Sequence, residues 1–450
     1  MRRNAAVRSC AIVTEDRGNP SASLFHHELQ RRNPRPADVQ QRKPHVIMIA
    51  YHFPPAPEIG GLRPFRFRKY LERLGYGCYV ITASPQNDKS SADTVVIRDE
   101  LQTVWDEGPT GRLSFEGWQE LLIRQLMFPG HVGVIWSRMA ADRCAEILHE
   151  LPRNKVVLYS TYPPVGTLTA GLLVHLRERI PWIADFRDPI GGVGAGLVPA
   201  RARFCNRRLE GFVFRSANAV VANVEAAAAM WSKRYPWAAR KLHVISNGFD
   251  PEDIPQAREI PARQERLIVH AGTLYHGRNP NVIVKSLARL RASGMPEAAS
   301  AKILLVGDFD AKAGIDQALF ETAQREGWLA LQPMMPRAQS QRLLEEADRL
   351  LLVQPQSEVQ VPGKLFEYIC IGRPILALVP RSSAVEQILQ LAGTPHVCVY
   401  PDEPEDEVDR KMLACLRMPG GPAAPSQSFA ANFNAAHQAE QLAAIIDSVA

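Results

Sequence analysis

Lys364 and Glu367 carry the most chemistry for their spacing in this chain. They open an apolar-periodic segment that begins with Pro362-Gly363 and ends at Gly372 and Pro374. Pro at the start and Gly just past the end bracket a helix, so both charged side chains fall on one face of its first turn. Free N–H groups at a helix start attract anions, and Lys364 adds a cation there. The Glu367 carboxylate can accept hydrogen bonds from two adjacent hydroxyls. A phosphate holder and a diol holder one turn apart describe a nucleotide-sugar site.

Other loops place reactive residue types at strand ends. Tyr51 to Gly61 ends in Gly60-Gly61, which lets backbone approach a ligand closely. It is not a GxGxxG, so the dinucleotide fingerprint is absent. Arg63 follows just inside the next helix, either charging a cleft or solvated at the surface. Ser160-Thr161-Tyr162-Pro163-Pro164 is a strand followed by Pro in a first helical turn. Asp185-Phe186-Arg187-Asp188-Pro189 packs two carboxylates and a guanidinium at a strand exit. That cluster is either an internal Arg–Asp pair holding the loop or a reactive group; His52 is the alternative base, although a lone His at a strand end more often packs. In Gly272 to Pro280, Thr273 offers a hydroxyl and Arg278 a planar fork suited to phosphate oxygens. Asp308-Phe309-Asp310 spells DxD, a pattern short enough to recur by chance.

Apolar runs of strand length alternate with helical patterns around these loops, which calls for parallel sheets covered on both faces. Strands are expected at His45 to Tyr51, Cys78 to Thr82, Val156 to Ser160, Trp182 to Phe186, Ala219 to Ala222 and His243 to Ile245. Residues 84–115 read as a polar loop insertion. A second series follows at Leu267 to Ala271, Lys302 to Val306, Leu329 to Gln332, Leu350 to Val353, Ile375 to Leu378 and Val397 to Tyr400. The Pro- and charge-rich stretch 249–266 reads as a linker, dividing a domain over 44–248 from one over 267–427. Residues 428–450 form a closing helical segment with Leu442, Ile445, Ile446 and Val449 on one face.

With 450 residues and 46% apolar content, the chain suits two soluble domains. Its net charge of +6 is misleading: residues 1–43 hold nine Lys/Arg against four acids, which leaves the rest nearly neutral. That tail lacks apolar periodicity and reads as disordered, with no secretory signal and no nucleic-acid partner expected. Seven scattered cysteines without a CxxC indicate neither zinc nor a disulfide framework and fit a reducing cytoplasm. Arg201 to Ser216 would place Cys205, Leu209, Phe212 and Val213 on one side. Phe115 to Met127 spaces Trp118, Leu121, Leu122 and Leu126 helically. Core packing is the default for both, with peripheral contact at the inner face of an anionic membrane as the option.

The segment Val361 to Pro374 resembles the donor-binding signature of family 4 glycosyltransferases, and the resemblance continues through most of Pro44 to Ala450. It implies the GT-B fold: two Rossmann-like α/β domains, doubly wound, facing a cleft, with the C-terminal helix crossing back to the first. It implies a donor pyrophosphate at Gly363, Lys364, Arg278 and Thr273, a ribose at Glu367, and Gly60-Gly61 beside donor and acceptor. Asp185, Arg187 and Asp188 would lie by the reacting sugar, where many relatives carry a His. The relatives' Arg after the first Gly is Thr273 here, and the first acid of their E-x7-E pattern is Val359, with Glu358 adjacent. The expected activity is transfer from a nucleoside-diphosphate sugar to a saccharide or lipid-linked acceptor, retaining and without metal or other cofactor. A sugar-nucleotide epimerase, a phosphorylase and a non-catalytic sugar-nucleotide-binding protein are the alternatives.

Overall fold

The structure, a computed structural model, describes residues 43–54, 59–84, 90–99, 114–126, 132–190, 200–254, 258, 264–275, 277–309 and 313–450. The tail 1–42, most of the linker after Ile254, His276 and Asp310 lie outside them.

Runs such as Val156–Tyr162 and Trp182–Phe186 are buried at every residue, because helices cover both faces of the sheet they enter. The first lobe runs β1 (His45–Ile49), α1 (Leu62–Arg73), β2 (Gly77–Ser84), β3 (Thr94–Arg98), α2 (Phe115–Leu126), α3 (Trp136–Glu150), β4 (Val156–Tyr162), α4 (Val165–Glu178), β5 (Trp182–Phe186), α5 (Ala200–Ser216), β6 (Ala219–Ala222), α6 (Glu225–Arg234) and β7 (Leu242–Val244). Its seven strands are parallel in the order β3-β2-β1-β4-β5-β6-β7.

The second lobe runs β8 (Arg266–Ala271), α7 (Asn281–Ala292), α8 (Pro296–Ala299), β9 (Ala301–Val306), α9 (Gln317–Arg325), β10 (Leu329–Gln332), α10 (Arg337–Glu345), β11 (Arg349–Val353), α11 (Lys364–Ile371), β12 (Ile375–Leu378), α12 (Ala384–Ala392), β13 (His396–Val399) and α13 (Glu405–Arg417). Its six parallel strands are ordered β10-β9-β8-β11-β12-β13. Strand order reverses between β1 and β4 in one lobe and between β8 and β11 in the other. Such a reversal splays the following loops apart and leaves a crevice for a ligand.

Two helices end the chain, α14 (Gln427–Phe433) and α15 (Ala435–Val449). As expected, the last one crosses back. Its Leu442, Ile445 and Ile446 are buried with Val46, Met48, Phe67 and Leu71 of the first lobe. The two crossings between lobes run side by side, since Phe249 N–H donates to Phe433 O and Ala435 N–H to Phe249 O, each at 3.0 Å. Gly248 is needed there, because a Cβ would lie 2.0 Å from Phe433 O. Helix α1 grips the same segment: Lys69 and the Tyr70 hydroxyl both donate to Asp250 at 2.7 Å, and Arg66 to Gly248 O at 2.6 Å.

Several elements depart from the sequence reading. The stretch 84–115 contains β3, a half-buried edge strand of five residues, too short and too charged at its flanks to stand out. Helices α3, α6, α8, α13 and α14 were not expected, although Val408, Met412, Cys415 and Leu416 of α13 follow a helical period on its buried side.

Candidate functional site

In the second lobe, the loops after β8 and β11 bring two cations together. Gly272 closes β8 at φ 129°, a conformation glycine tolerates, and a Cβ there would lie 2.3 Å from the Lys364 Nζ. The freed space admits Lys364, whose ammonium donates to Ala271 O at 2.7 Å and sits 3.5 Å from His270 Nε2. Burial, with the nearby Arg278 charge second, pushes the Lys364 amine down to about 7. His270 is buried and neutral, its own value driven down to about 3 by burial and Lys364. Arg278 stacks over the Tyr275 ring, 4.3 Å from its centre, and donates to the Tyr275 hydroxyl at 2.7 Å. Among the described residues, neither Lys364 nor Arg278 has a carboxylate within salt-bridge distance.

Gly363 caps α11, and Gly372 ends it at φ 76°. Glu367, one turn in, accepts from Arg337 Nη2 at 2.8 Å through Oε1, which orients the carboxylate and leaves Oε2 outside that pair. Thr273 is half-buried beside Gly272. Val359 packs against the apolar core and Glu358 is exposed. The E-x7-E pattern thus stays half-filled. Of the DxD pattern, Asp310 lies outside the described residues.

The first lobe gathers more charge at its strand ends and neutralises it internally. Asp185 has no exposed surface. Arg63 grips it in a fork, Nη2 to Oδ1 at 2.8 Å and Nε to Oδ2 at 3.0 Å, while the hydroxyls of Tyr159 and Thr161 donate to Oδ2 at 2.6 and 2.8 Å. Burial opposes the Asp185 charge, yet Arg63 and these hydrogen bonds hold its carboxyl below the usual range. Arg63 also donates to Ser246 O and Ile245 O. Arg187 likewise holds backbone, donating to Gly60 O at 2.7 Å, Pro163 O at 2.6 Å and Tyr162 O at 3.1 Å. Of the two sequence readings of this cluster, the internal ion pair describes Asp185, with Arg63 rather than Arg187 as its partner. Arg187 fixes the loops of Gly60-Gly61 and Tyr162-Pro163, and Gly60 makes room for its guanidinium. His52 is pushed down to about 4 by burial, with Arg187 second, so its ring is neutral.

Asp188 is different. It is half-buried, and burial raises its carboxyl above the ordinary range against the pull of Arg187 and a hydrogen bond from the opposite lobe. That bond comes from Gln360 Nε2 at 3.0 Å. The Oε1 of the same amide accepts from Arg278 Nη2 at 3.1 Å and from Gln354 Nε2 at 3.2 Å. One neutral side chain thus joins the cation of one lobe to the carboxylate of the other. Sequence reasoning passed over Gln360 because it searched this loop for acids. The available signal was its place, two residues before Pro362 in the loop that leads into α11.

Residues 63–253 match the model of Glycosyltransferase Family 4. No curated protein sequence matches the chain. Among solved structures, sucrose-phosphate synthase from Thermosynechococcus elongatus is similar with a TM-score of 0.63 at 15% identity, over 90% of this chain and 99% of that one. HepE of Anabaena, solved with UDP and glucose, gives 0.58 at 15% identity, over 90% and 100%. A UDP-forming α,α-trehalose-phosphate synthase from Burkholderia xenovorans, in complex with glucose-6-phosphate, gives 0.60 at 12% identity, again over 90% and 100%. At such identities the likeness is one of fold. The family match falls on the first lobe, whereas the cation pair stands in the second.

Proposed function

We propose, for a chain that is a glycosyltransferase of the GT-B fold and family 4 type, that it moves a sugar from a nucleoside-diphosphate sugar to a saccharide or lipid-linked acceptor hydroxyl, with retention, in the assembly of a polysaccharide, glycolipid or other glycoconjugate. One observation carries the reading. Lys364 at the start of α11 and Arg278 in the loop after β8 have, among the described residues, no carboxylate within salt-bridge distance, two positive charges for a group bearing about two negative ones. The donor pyrophosphate meets these cations, Thr273 and the first N–H groups of α11 after Gly363. The ribose reaches Glu367, whose Oε2 lies outside its pair with Arg337.

Bond cleavage puts charge on the departing diphosphate. Cations already in place lower that barrier without help from a metal or another cofactor. Asp188, facing the second lobe through Gln360, is the first-lobe carboxylate placed to meet the sugar or the acceptor hydroxyl. Asp185, Arg187 and Gly60-Gly61 shape the wall around it. The UDP bound by the Anabaena relative supports a nucleotide donor of this kind.

The half-filled E-x7-E pattern, with Val359 in the core, favours one rival: a protein that binds sugar nucleotides without turning them over. A panel of nucleotide sugars and of UDP, GDP and ADP, screened by thermal shift, separates the readings once the stabilising ligand is incubated with enzyme. Slow release of nucleoside diphosphate supports the transferase, and tight binding without release supports the rival. Stabilisation by none of them overturns both.

A further inference from the structure

Helix α5 presents a face that neither the donor site nor the core uses. Its inward residues are Ala202, Asn206, Glu210, Val213 and Phe214. The sequence expectation of an apolar side made of Cys205, Leu209, Phe212 and Val213 therefore fails, because Val213 turns inward and Phe212 outward. Phe204 and Phe212 are 58% and 60% exposed, on a helical stripe shared with Arg208 and Arg215. The Arg208 guanidinium lies over the Phe204 ring at 4.9 Å, and Arg215 over Trp237 at 5.4 Å, with Trp237 half-exposed. The one acid of the helix, Glu210, is fully buried and paired with Arg234 at 2.9 Å. Beside α5, the neighbouring α4 exposes Leu173 and Leu176.

Charge also marks this face. Arg207, Arg208 and Arg215 are exposed on α5, and the helix's one acid is withdrawn from the surface. Exposed aromatic rings between arginines, on a helix lying flat at the surface, match an anionic bilayer: rings enter the headgroup boundary, guanidinium groups meet lipid phosphates.

We propose that the outer face of α5, with Phe204, Arg207, Arg208, Phe212, Arg215 and Trp237, docks the protein onto an anionic lipid surface. This surface is separate from the donor cations and does not depend on the transfer reaction.

Flotation of the full chain tests the proposal, with vesicles of phosphatidylcholine alone and vesicles in which phosphatidylglycerol makes up about a third. The protein is expected to float with the second and not the first, and to be released by salt. Arg207→Glu with Arg208→Glu should weaken that binding roughly 10-fold or more, and Phe204→Ser with Phe212→Ser should weaken it without altering the salt response. Both variants should keep the thermal midpoint and nucleoside-diphosphate binding of the parent, which separates this proposal from the transferase reading. No flotation, equal flotation with both vesicles, variants that bind like the parent, or binding of nucleic acid in place of vesicles would each overturn it.

Discussion

Both lobes place charged side chains at strand ends at or beside the point where strand order reverses, yet they treat that charge in opposite ways. In the first lobe, Asp185 and Arg63 are buried together and Arg187 is spent on three carbonyls. In the second, Lys364 and Arg278 rest on neutral partners: a carbonyl, an imidazole, a phenol and an amide. A buried pair that satisfies itself stabilises geometry, whereas cations held by neutral groups keep their field for a ligand. The number of charges at a strand end is thus a poor guide to a binding site. What matters is whether the charges cancel one another.

The sharpest way to break the contrast is Arg63→Ala. It strands the Asp185 carboxylate in the core and should cost about 3–5 kcal/mol of stability in urea unfolding; a variant as stable as the parent would make the pair dispensable. Lys364→Ala should do the reverse. It should leave unfolding unchanged or slightly improved, because burial already disfavours the ammonium there, while weakening nucleoside-diphosphate binding about 100-fold by calorimetry.

A third test uses pH. Burial pushes the Lys364 amine down to about 7, and a diphosphate bound beside it is expected to hold it protonated, so binding should take up a proton at higher pH. Affinity should be flat below about 7 and fall by up to tenfold per unit above it. Calorimetry in two buffers of different ionisation enthalpy reads the proton directly, and a flat profile would mean that Lys364 is already charged. The smallest effect is expected from Gln360→Ala. Loss of the bridge between Arg278 and Asp188 should cost about 1–2 kcal/mol in kcat/KM, mostly in kcat if the bridge aligns the lobes and mostly in KM if it only steadies Arg278.

Much of this was legible in the residues. Apolar runs of strand length and period-3.6 patterns marked the strands and helices around the candidate site, and Pro362, Gly363 and Gly372 marked both ends of α11. Lys364 stood out as a candidate because it puts a cation in the first turn of a helix, and Arg278 because its planar fork suits phosphate oxygens. The first-lobe cluster was not legible in the same way. The sequence shows that Asp185, Arg187 and Asp188 are close, but Arg63, 122 residues away, decides which carboxylate is neutralised. Long-range pairing of this kind leaves no local trace. Gln360 went unseen for another reason, since an uncharged amide acquires meaning only when groups from two lobes meet it.

The adjacent crossings at Phe249 and Phe433 also bear on how the protein is made. Helix α15 supplies the apolar cover over α1 and the β1 side of the first sheet, and it leaves the ribosome only after the whole second lobe. The lobe synthesised first is therefore completed last, holding an uncovered greasy flank throughout translation of the other. A premature stop near residue 430 would leave the second lobe nearly whole and its older neighbour the sticky, chaperone-dependent partner.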